Sequence, residues 1–286
     1  MVAVAVDAQA DPERYCAYFG DDASSIASDI VGVVGPAGGD WTSAAWLDLD
    51  DDGEITGWLL AETDPEMSRV WWWGPMSTRD HTLDRLLAEA MDALGEYAEH
   101  EIAVDARSQC LASLARRHGF VAGAPSAVLH TASFASTRWE GDDGVVTLGD
   151  QHRNPVRELH DALFPGTHTT GAGLVAPDHD RTRLILEDDR QSIDTGVQRV
   201  AGYIATETHS DGSLYIDFLG VAPDARGRGV GRRLVSEAMR RGAEAGATHA
   251  QLTVRAENRA ARRLYASLGF VEERVVVPYR RGFSLD

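Results

Sequence analysis

A short stretch between Phe218 and Met239, FLGVAPDARGRGVGRRLVSEAM, concentrates glycine and arginine in a single turn. Within it Gly227, Gly229 and Gly231 alternate with bulkier residues, after an apolar strand pattern and before an amphipathic helix pattern. Glycine lets a backbone turn sharply and approach a ligand closely, and a helix N-terminus directs unpaired N–H groups towards an anion. The neighbouring arginines add fork-shaped donors that suit phosphate oxygens. We therefore expect this turn to bind a phosphate group.

Two other phosphate motifs do not fit this turn. A dinucleotide-binding loop has the spacing G-x-G-x-x-G, whereas the spacing here is G-x-G-x-G. A P-loop requires G-K-[ST], and the chain contains no lysine. Arg226, Gly229 and Gly231 instead fill the pattern R/Q-x-x-G-x-G/A at the start of a helix. A second pattern, N-x-x-A-x-x-L-Y-x-x-x-G-F, follows in residues 258–270.

These two motifs, in this order, resemble the acetyl-CoA-binding signature of GCN5-related N-acetyltransferases, the GNAT superfamily. The resemblance implies acetyl-CoA as the acyl donor, no metal, and transfer of the acetyl group to an amine. The cofactor-binding residues that it implies are Leu219, Gly220, Val221, Arg226, Gly227, Arg228, Gly229, Val230, Gly231, Arg232, Asn258, Ala261 and Arg263.

Such a transfer needs a proton donor, because the departing thiolate must be protonated. The family resemblance assigns this role to Tyr265 as general acid. Asn258, Ala261 and Tyr265 lie at i, i+3 and i+7, so a helix places them on one face. Packing of Tyr265 in the core is the structural alternative.

The transfer also needs a base, because a primary amine is largely protonated near neutral pH. We expect Asp217 in this role. Alternation along the strand places Tyr215, Asp217 and Leu219 on one face of the sheet. A chain of water molecules is the alternative base, and pairing of Asp217 with an arginine is the structural alternative.

The segment LFPGTHTTGAG, residues 163–173, is the candidate acceptor loop. In GNAT relatives the corresponding loop closes over the acceptor. The expected substrate-binding residues are therefore Phe164, His168, Thr169, Thr170 and, from the strand, Tyr215. A connector rich in glycine and threonine is the alternative. One histidine without partners at ligand spacing does not predict a metal site.

The elements that must position these residues occur twice along the chain. Gly119 and Phe120 recur as Gly269 and Phe270, each time after a helix and before a strand. The sequence thus predicts an α/β class with a mixed sheet, as two tandem acyl-CoA N-acyltransferase (GNAT) folds over residues 1–138 and 139–286. This arrangement resembles actinobacterial mycothiol synthase and its relatives.

The first copy lacks the residues that carry the chemistry of the second. Its loop is shorter and has no glycine, Ala115 stands where the second copy has Tyr265, and Ser108 stands where it has Asn258. We therefore expect a degenerate, non-catalytic first domain.

Composition narrows the class of partner. The net charge of −18 disfavours nucleic acid and anionic membrane surfaces and weakly favours a cationic amine. Two cysteines are too few for a disulfide framework, and the absence of a basic leader or a long apolar run predicts a cytoplasmic protein. A monomer and a homodimer are both compatible with the sequence.

The expected function is an acyltransferase, an N-acetyltransferase acting on a primary amine of a small molecule. One alternative is acetylation of an amino-sugar cysteine conjugate, as in mycothiol synthase. Another is a non-catalytic acyl-CoA sensor or scaffold, which would bind the donor without reaction.

Overall fold

The computed structural model describes residues 1–11, 13–14, 16, 23–34, 44–77, 79–131, 139, 141–177, 181–188, 199–209 and 212–282. The strands are β1 (Ala45–Leu49), β2 (Ile55–Asp64), β3 (Arg69–Ser77), β4 (Glu99–Asp105), β5 (Val121–Ala122), β6 (Ser126–Thr131), β7 (Val145–Thr147), β8 (Arg181–Glu187), β9 (Val200–Thr208), β10 (Ser213–Val221), β11 (His249–Arg255) and β12 (Val271–Arg281). The helices are α1 (Val2–Gln9), α2 (Ala23–Val34), α3 (Asp80–Ala93), α4 (Gln109–Arg117), α5 (Asp150–Leu163), α6 (Gly171–Val175), α7 (Val230–Glu244) and α8 (Arg259–Ala266).

The chain forms two compact units. Unit 1 contains Met1–Ala127, Arg255–Glu257 and Arg274–Asp286, and unit 2 contains Val128–Val254 and Asn258–Glu273. The strand order in unit 1 is β1-β2-β3-β4-β12, and in unit 2 it is β6-β11-β10-β9-β8-β7. Strand β3 runs parallel to β4, and β10 runs parallel to β11, among antiparallel neighbours. The prediction of an α/β fold with mixed sheets is confirmed.

The two copies exchange their last strands. Most of β6, which ends the first copy along the chain, lies in unit 2, where it neighbours β11. The greater part of β12, which ends the second copy, lies in unit 1, where Val276 to Arg281 pair antiparallel with Asp105 to His100 of β4. The predicted boundary at 138/139 describes the order of the copies along the chain. It stays a prediction, and residue 138 lies outside the described residues.

The elements that position the candidate site follow from local sequence. Strand β10 spans the predicted stretch SLYIDFLGV, with buried and half-buried residues in alternation. Helix α8 starts after Asn258, whose side chain accepts a hydrogen bond from the N–H of Ala261 at 3.1 Å. Such a cap satisfies one of the helix's unpaired N–H groups. The core beside β10 contains Val156, Leu174, Ile185, Tyr203 and Phe218.

Helix α7 is tied to the start of unit 2 by a buried carboxylate. Glu237 is 4% exposed, and its Oε1 accepts hydrogen bonds from Arg240 at 2.8 Å and Arg241 at 2.7 Å. Its Oε2 accepts a bond from the backbone N–H of Asp142 at 3.3 Å. These partners lower the pKa of Glu237 from its usual value to about 2.

We expect Glu237→Gln to destabilise the protein by about 2–3 kcal/mol near neutral pH, because the variant loses a charge that the folded state favours. A carboxyl group whose pKa is lowered in the folded state stabilises it above the unfolded pKa, and the contribution fades as the pH falls. The difference in the free energy of unfolding between wild type and variant should therefore decrease as the pH falls from about 5 to about 2. Urea denaturation at several pH values measures it.

The matched control is Glu244→Gln on the same helix. Glu244 is 65% exposed and pairs with Arg240, so the expected change is roughly 0.5 kcal/mol or less. Equal effects of the two substitutions, or a Glu237→Gln effect independent of pH, would contradict this account.

Candidate active site

Strands β10 and β11 separate in the middle of unit 2. Their parallel pairing runs only from Ser213↔His249 to Ile216↔Leu252, although β10 continues to Val221 and β11 to Arg255. On its other edge β10 stays paired with β9 as far as Val221. The N–H of Ala222 bonds to β9, so by alternation Leu219 and Val221 direct their backbone groups into the gap. The gap therefore offers unpaired donors and acceptors.

The separation begins at a β-bulge. The register between β9 and β10 shifts between Ile216 and Phe218, which leaves Asp217 as the extra residue. Because of the bulge, the face predicted for Leu219 is wrong. Its Cδ2 lies 3.6 Å from the place of a Cβ on Gly231 of α7, on the sheet face opposite to Asp217. The prediction assumed that side chains alternate strictly between the two faces, and the extra residue Asp217 reverses that alternation for the residues after it.

The glycine turn leads into α7. Gly227 and Gly229 have φ values of +74° and +79°. Apart from the adjacent residues of the turn, no described residue has a heavy atom within 4 Å of the place where a Cβ would be. This left-handed conformation and open space leave room for a ligand at the N-terminus of a fifteen-residue helix that begins at Val230. Gly231 has a different task, because a Cβ there would lie 3.1 Å from Leu264 Cδ2. It lets α7 pack closely on α8.

The arginines of the turn differ in what they contact. Arg228 donates two hydrogen bonds to Asp188, at 2.8 and 3.0 Å. Because its guanidinium group is engaged in this pair, we expect Arg228 to contact the cofactor through its backbone N–H. Arg232 donates to the Ser267 hydroxyl at 2.5 Å. Arg226 is exposed and makes no ion pair with any described residue. Asp188 could not be predicted from local patterns, because its partner Arg228 lies forty positions away.

Helix α8 carries the predicted proton donor, Tyr265, which interacts electrostatically with Tyr215 of β10. Arg263 is exposed, whereas Tyr265 is 5% exposed and packs edge-on against Phe270 with centroids 5.5 Å apart. Burial, with a smaller contribution from Tyr215, raises the pKa of Tyr265 well above the usual value for a phenol. Tyr265 therefore stays protonated across the neutral range. The Tyr215 hydroxyl lies 3.5 Å from Thr253 on β11.

Asp217 and His168 form a pair on the face of the sheet that carries α5. Nε2 of His168 lies 3.2 Å from Oδ1 of Asp217, and Nη2 of Arg181 lies 3.2 Å from Oδ2. Arg181 also pairs with Glu207. Asp217 is 5% exposed, whereas His168 is 54% exposed and stacks on Phe218 with centroids 5.1 Å apart. The structure thus brings together a predicted base and a predicted substrate residue.

The rest of the acceptor loop holds His168 in place. His160, fully buried on α5, donates from Nε2 to the Thr169 carbonyl at 2.9 Å, since a carbonyl can only accept. Its Nδ1 then accepts from the Tyr203 hydroxyl at 2.7 Å. The side chain of Thr170 caps α6, and Phe164 packs against Phe218. Sequence analysis missed His160, whose position on a helix face is indistinguishable from an ordinary core position.

The corresponding gap in unit 1 is filled by the chain itself. Strands β3 and β4 also pair only up to Trp72↔Ile102 before they separate. Cys16 forms an isolated antiparallel bridge with Val104 of β4, and its Sγ accepts the N–H of Gly74 on β3 at 3.3 Å. The residues that would face a ligand in this gap therefore bind a segment of the same chain.

The same segment covers the N-terminus of α4. Oε2 of Glu13 accepts the backbone N–H groups of Gln109 at 2.7 Å and Cys110 at 3.0 Å. Ser108 caps the helix through the N–H of Leu111, as Asn258 does in unit 2. Nothing in the sequence of this segment indicated such contacts, because its partners are more than fifty residues away.

None of the helices in the described ranges is both long enough and apolar enough to cross a membrane. Among the residues that the structure places, no three His, Cys, Asp or Glu side chains are grouped so that they could hold a metal ion.

Comparisons with known proteins found similar sequences and similar folds. Residues 153–270 match the acetyltransferase (GNAT) family. The mycothiol acetyltransferase of Thermobifida fusca (strain YX) is 37% identical over 123 residues, which cover 35% of this chain and 38% of that protein. The chain thus aligns with less than two thirds of the length of this relative. The family resemblance carried by the two motifs is confirmed.

Solved structures show the fold of both units. A GCN5-related N-acetyltransferase from Sphaerobacter thermophilus matches 98% of this chain and 93% of its own, with a TM-score of 0.72 and 18% identity. A tandem GNAT protein from the clavulanic acid biosynthesis pathway covers 85% of both chains, with a TM-score of 0.57 and 15% identity. The prediction of tandem GNAT folds is confirmed, and the degeneracy of the first copy stays a prediction.

Proposed function

We propose that this chain, whose residues 153–270 match the acetyltransferase (GNAT) family, transfers an acetyl group from acetyl-CoA to a primary amine of a small molecule. The observation that carries the proposal is the open gap between β10 and β11, followed along the chain by a glycine turn. The buried phenol of Tyr265 lies on α8, which packs against α7 at Gly231.

The residues around the gap fit this donor. Gly227 and Gly229 leave open space at a helix N-terminus, which suits phosphate oxygens. Leu219 and Val221 direct backbone groups into the gap, where they suit an extended amide-containing arm and a carbonyl oxygen. Acetyl-CoA bound there supplies the acetyl group as a thioester. Tyr265 gives its proton to the departing sulfur, and burial keeps that proton available at neutral pH.

One specific observation favours a second acceptor class. The relative from Thermobifida fusca is a mycothiol acetyltransferase, so an amino-sugar cysteine conjugate belongs among the amines to be tested. A sensor that binds acetyl-CoA without reaction is the rival from another class, and the presence of a buried phenol at the gap argues against it.

The proposal predicts one acetyl-CoA per chain in calorimetric titration, because Cys16 occupies the gap of unit 1 and Glu13 covers the N-terminus of α4. Gly229→Glu should weaken binding about 100-fold, since it places a carboxylate where the phosphates would lie. Gly246→Glu is the matched control. Gly246 has a φ of +94° and open space like Gly229, but it follows the other end of α7. The Gly246→Glu variant should bind acetyl-CoA with the wild-type Kd.

Absence of binding would overturn the proposed function. Two sites per chain would overturn the reading of the gap in unit 1 alone. Thiol release from acetyl-CoA with a panel of amino-acid amides, polyamines, amino sugars and a cysteine–amino-sugar conjugate then identifies the acceptor class.

A further inference from the structure

We propose that His168 is the general base of unit 2 and that Asp217 positions it rather than acting as the base. The inference rests on the proposed acetyl transfer. It departs from the sequence-based expectation, in which Asp217 takes the proton and His168 only lines the acceptor pocket.

Exposure decides which of the two side chains an incoming amine meets. Asp217 is 5% exposed in the bulge of β10, and His168 is 54% exposed in front of it. One oxygen of Asp217 faces Nε2 of His168, and the other faces the Arg181 guanidinium. The carboxylate therefore lies between two nitrogen atoms, although its buried Oδ2 accepts no hydrogen bond from any residue that the structure describes. An amine that arrives from solvent reaches the imidazole first.

The imidazole is held in a defined orientation. Its ring stacks on Phe218 at an interplanar angle of 23°, and its Nε2 lies 3.2 Å from Oδ1 of Asp217. Nδ1 of His168 has no hydrogen bond to any residue that the structure describes, so it is available to accept a proton. A carboxylate on one ring nitrogen fixes the tautomer and stabilises the imidazolium that forms when the other nitrogen is protonated. The loop is in turn fixed by His160 through the Thr169 carbonyl.

Charged and titratable groups approach this pair from several elements. They are Arg181 on β8, Tyr203 and Glu207 on β9, Tyr215 on β10, and His160 on α5, which packs against Phe218. Arg181 bridges Asp217 and Glu207, so each carboxylate has a cationic partner on the side away from the imidazole.

The proton balance of the reaction can be written with these groups. His168 Nδ1 takes one proton from the ammonium form of the acceptor and passes it to solvent. The freed amine nitrogen forms the new C–N bond as the C–S bond breaks. Tyr265 protonates the departing sulfur, and the second proton from nitrogen restores Tyr265 through water. The net products are an amide, a thiol and one proton.

The test compares pH profiles of kcat/KM, using the amine that wild type acetylates fastest in the panel above. The kcat/KM of His168→Gln should be about 100-fold below that of wild type near pH 7, where the amine needs a base. Near pH 10 the loss should fall below about 10-fold, because much of an ordinary amine is already neutral there. Asp217→Asn should show the same profile with a smaller loss of about 10-fold near pH 7. All variants should keep the wild-type Kd for acetyl-CoA in calorimetry.

His209→Gln is the matched control, since His209 is 47% exposed and stacks on Tyr215 of the same strand but does not contact Asp217. It should follow the wild-type profile. If wild type acetylates an amine and His168→Gln loses activity equally at both pH values, or not at all, the inference is overturned while the transfer stands. Acetyl-CoA binding without thiol release by wild type with any amine overturns both.

Discussion

Replacement of Tyr265 by phenylalanine is expected to lower kcat by about 10²- to 10⁴-fold, the usual contribution of a positioned general acid. The substitution removes one oxygen from a ring that stays packed against Phe270. The affinity for acetyl-CoA should therefore hardly change, because only the proton donor is lost. Thiol release under saturating donor and acceptor measures kcat, and calorimetry measures the Kd.

The pH dependence of wild type offers a second check on Tyr265. A general acid works only while it is protonated, and burial raises the pKa of Tyr265 above that of an ordinary phenol. The rate should therefore not decline with rising pH below about pH 10 on account of this group. A wild-type rate that Tyr265→Phe leaves intact would remove the phenol from the mechanism and would require another proton donor.

Expression of residues 139–286 alone is expected to yield an aggregated protein without acetyl-CoA binding. This fragment contains both motifs, but it lacks β6, so one edge of β11 has no partner. It also carries β12 without β4, the strand with which β12 pairs in unit 1. Unpaired edges are templates for association between chains. Solubility, size-exclusion chromatography and calorimetry measure the result.

A fragment of residues 126–286 is the matched comparison, since it restores β6 and still lacks β4. It should be more soluble than 139–286 and should recover part of the binding. A soluble, monomeric 139–286 fragment with the affinity of the full chain would show that the strand exchange is dispensable for unit 2.

Much of the fold could be predicted because it depends on local patterns. The bounds of β10, the start of α8 at Asn258 and the order of elements in both copies follow from alternation, capping and the repeat. Such features depend on neighbours within a few positions of the chain.

The remaining features depend on contacts between distant residues. Leu219 lies on the opposite face because of the bulge at Asp217, and no residue type in the strand predicts a bulge there. The bond of Glu13 to the start of α4 spans 96 positions. The same holds for the exchange of β6 and β12, because either strand has a pattern that would suit its own copy equally well.

The strand exchange also sets the order in which the molecule can be completed on the ribosome. Unit 2 receives β6 from a segment that is made before the rest of that unit. Most of unit 1 is translated first, but unit 1 cannot be completed until β12 is translated, about 150 residues after β6. At 5–20 residues per second this delay is roughly 10–30 s, during which the edge of β4 is without its final partner. The half of the protein that is translated first is thus the half that is finished last.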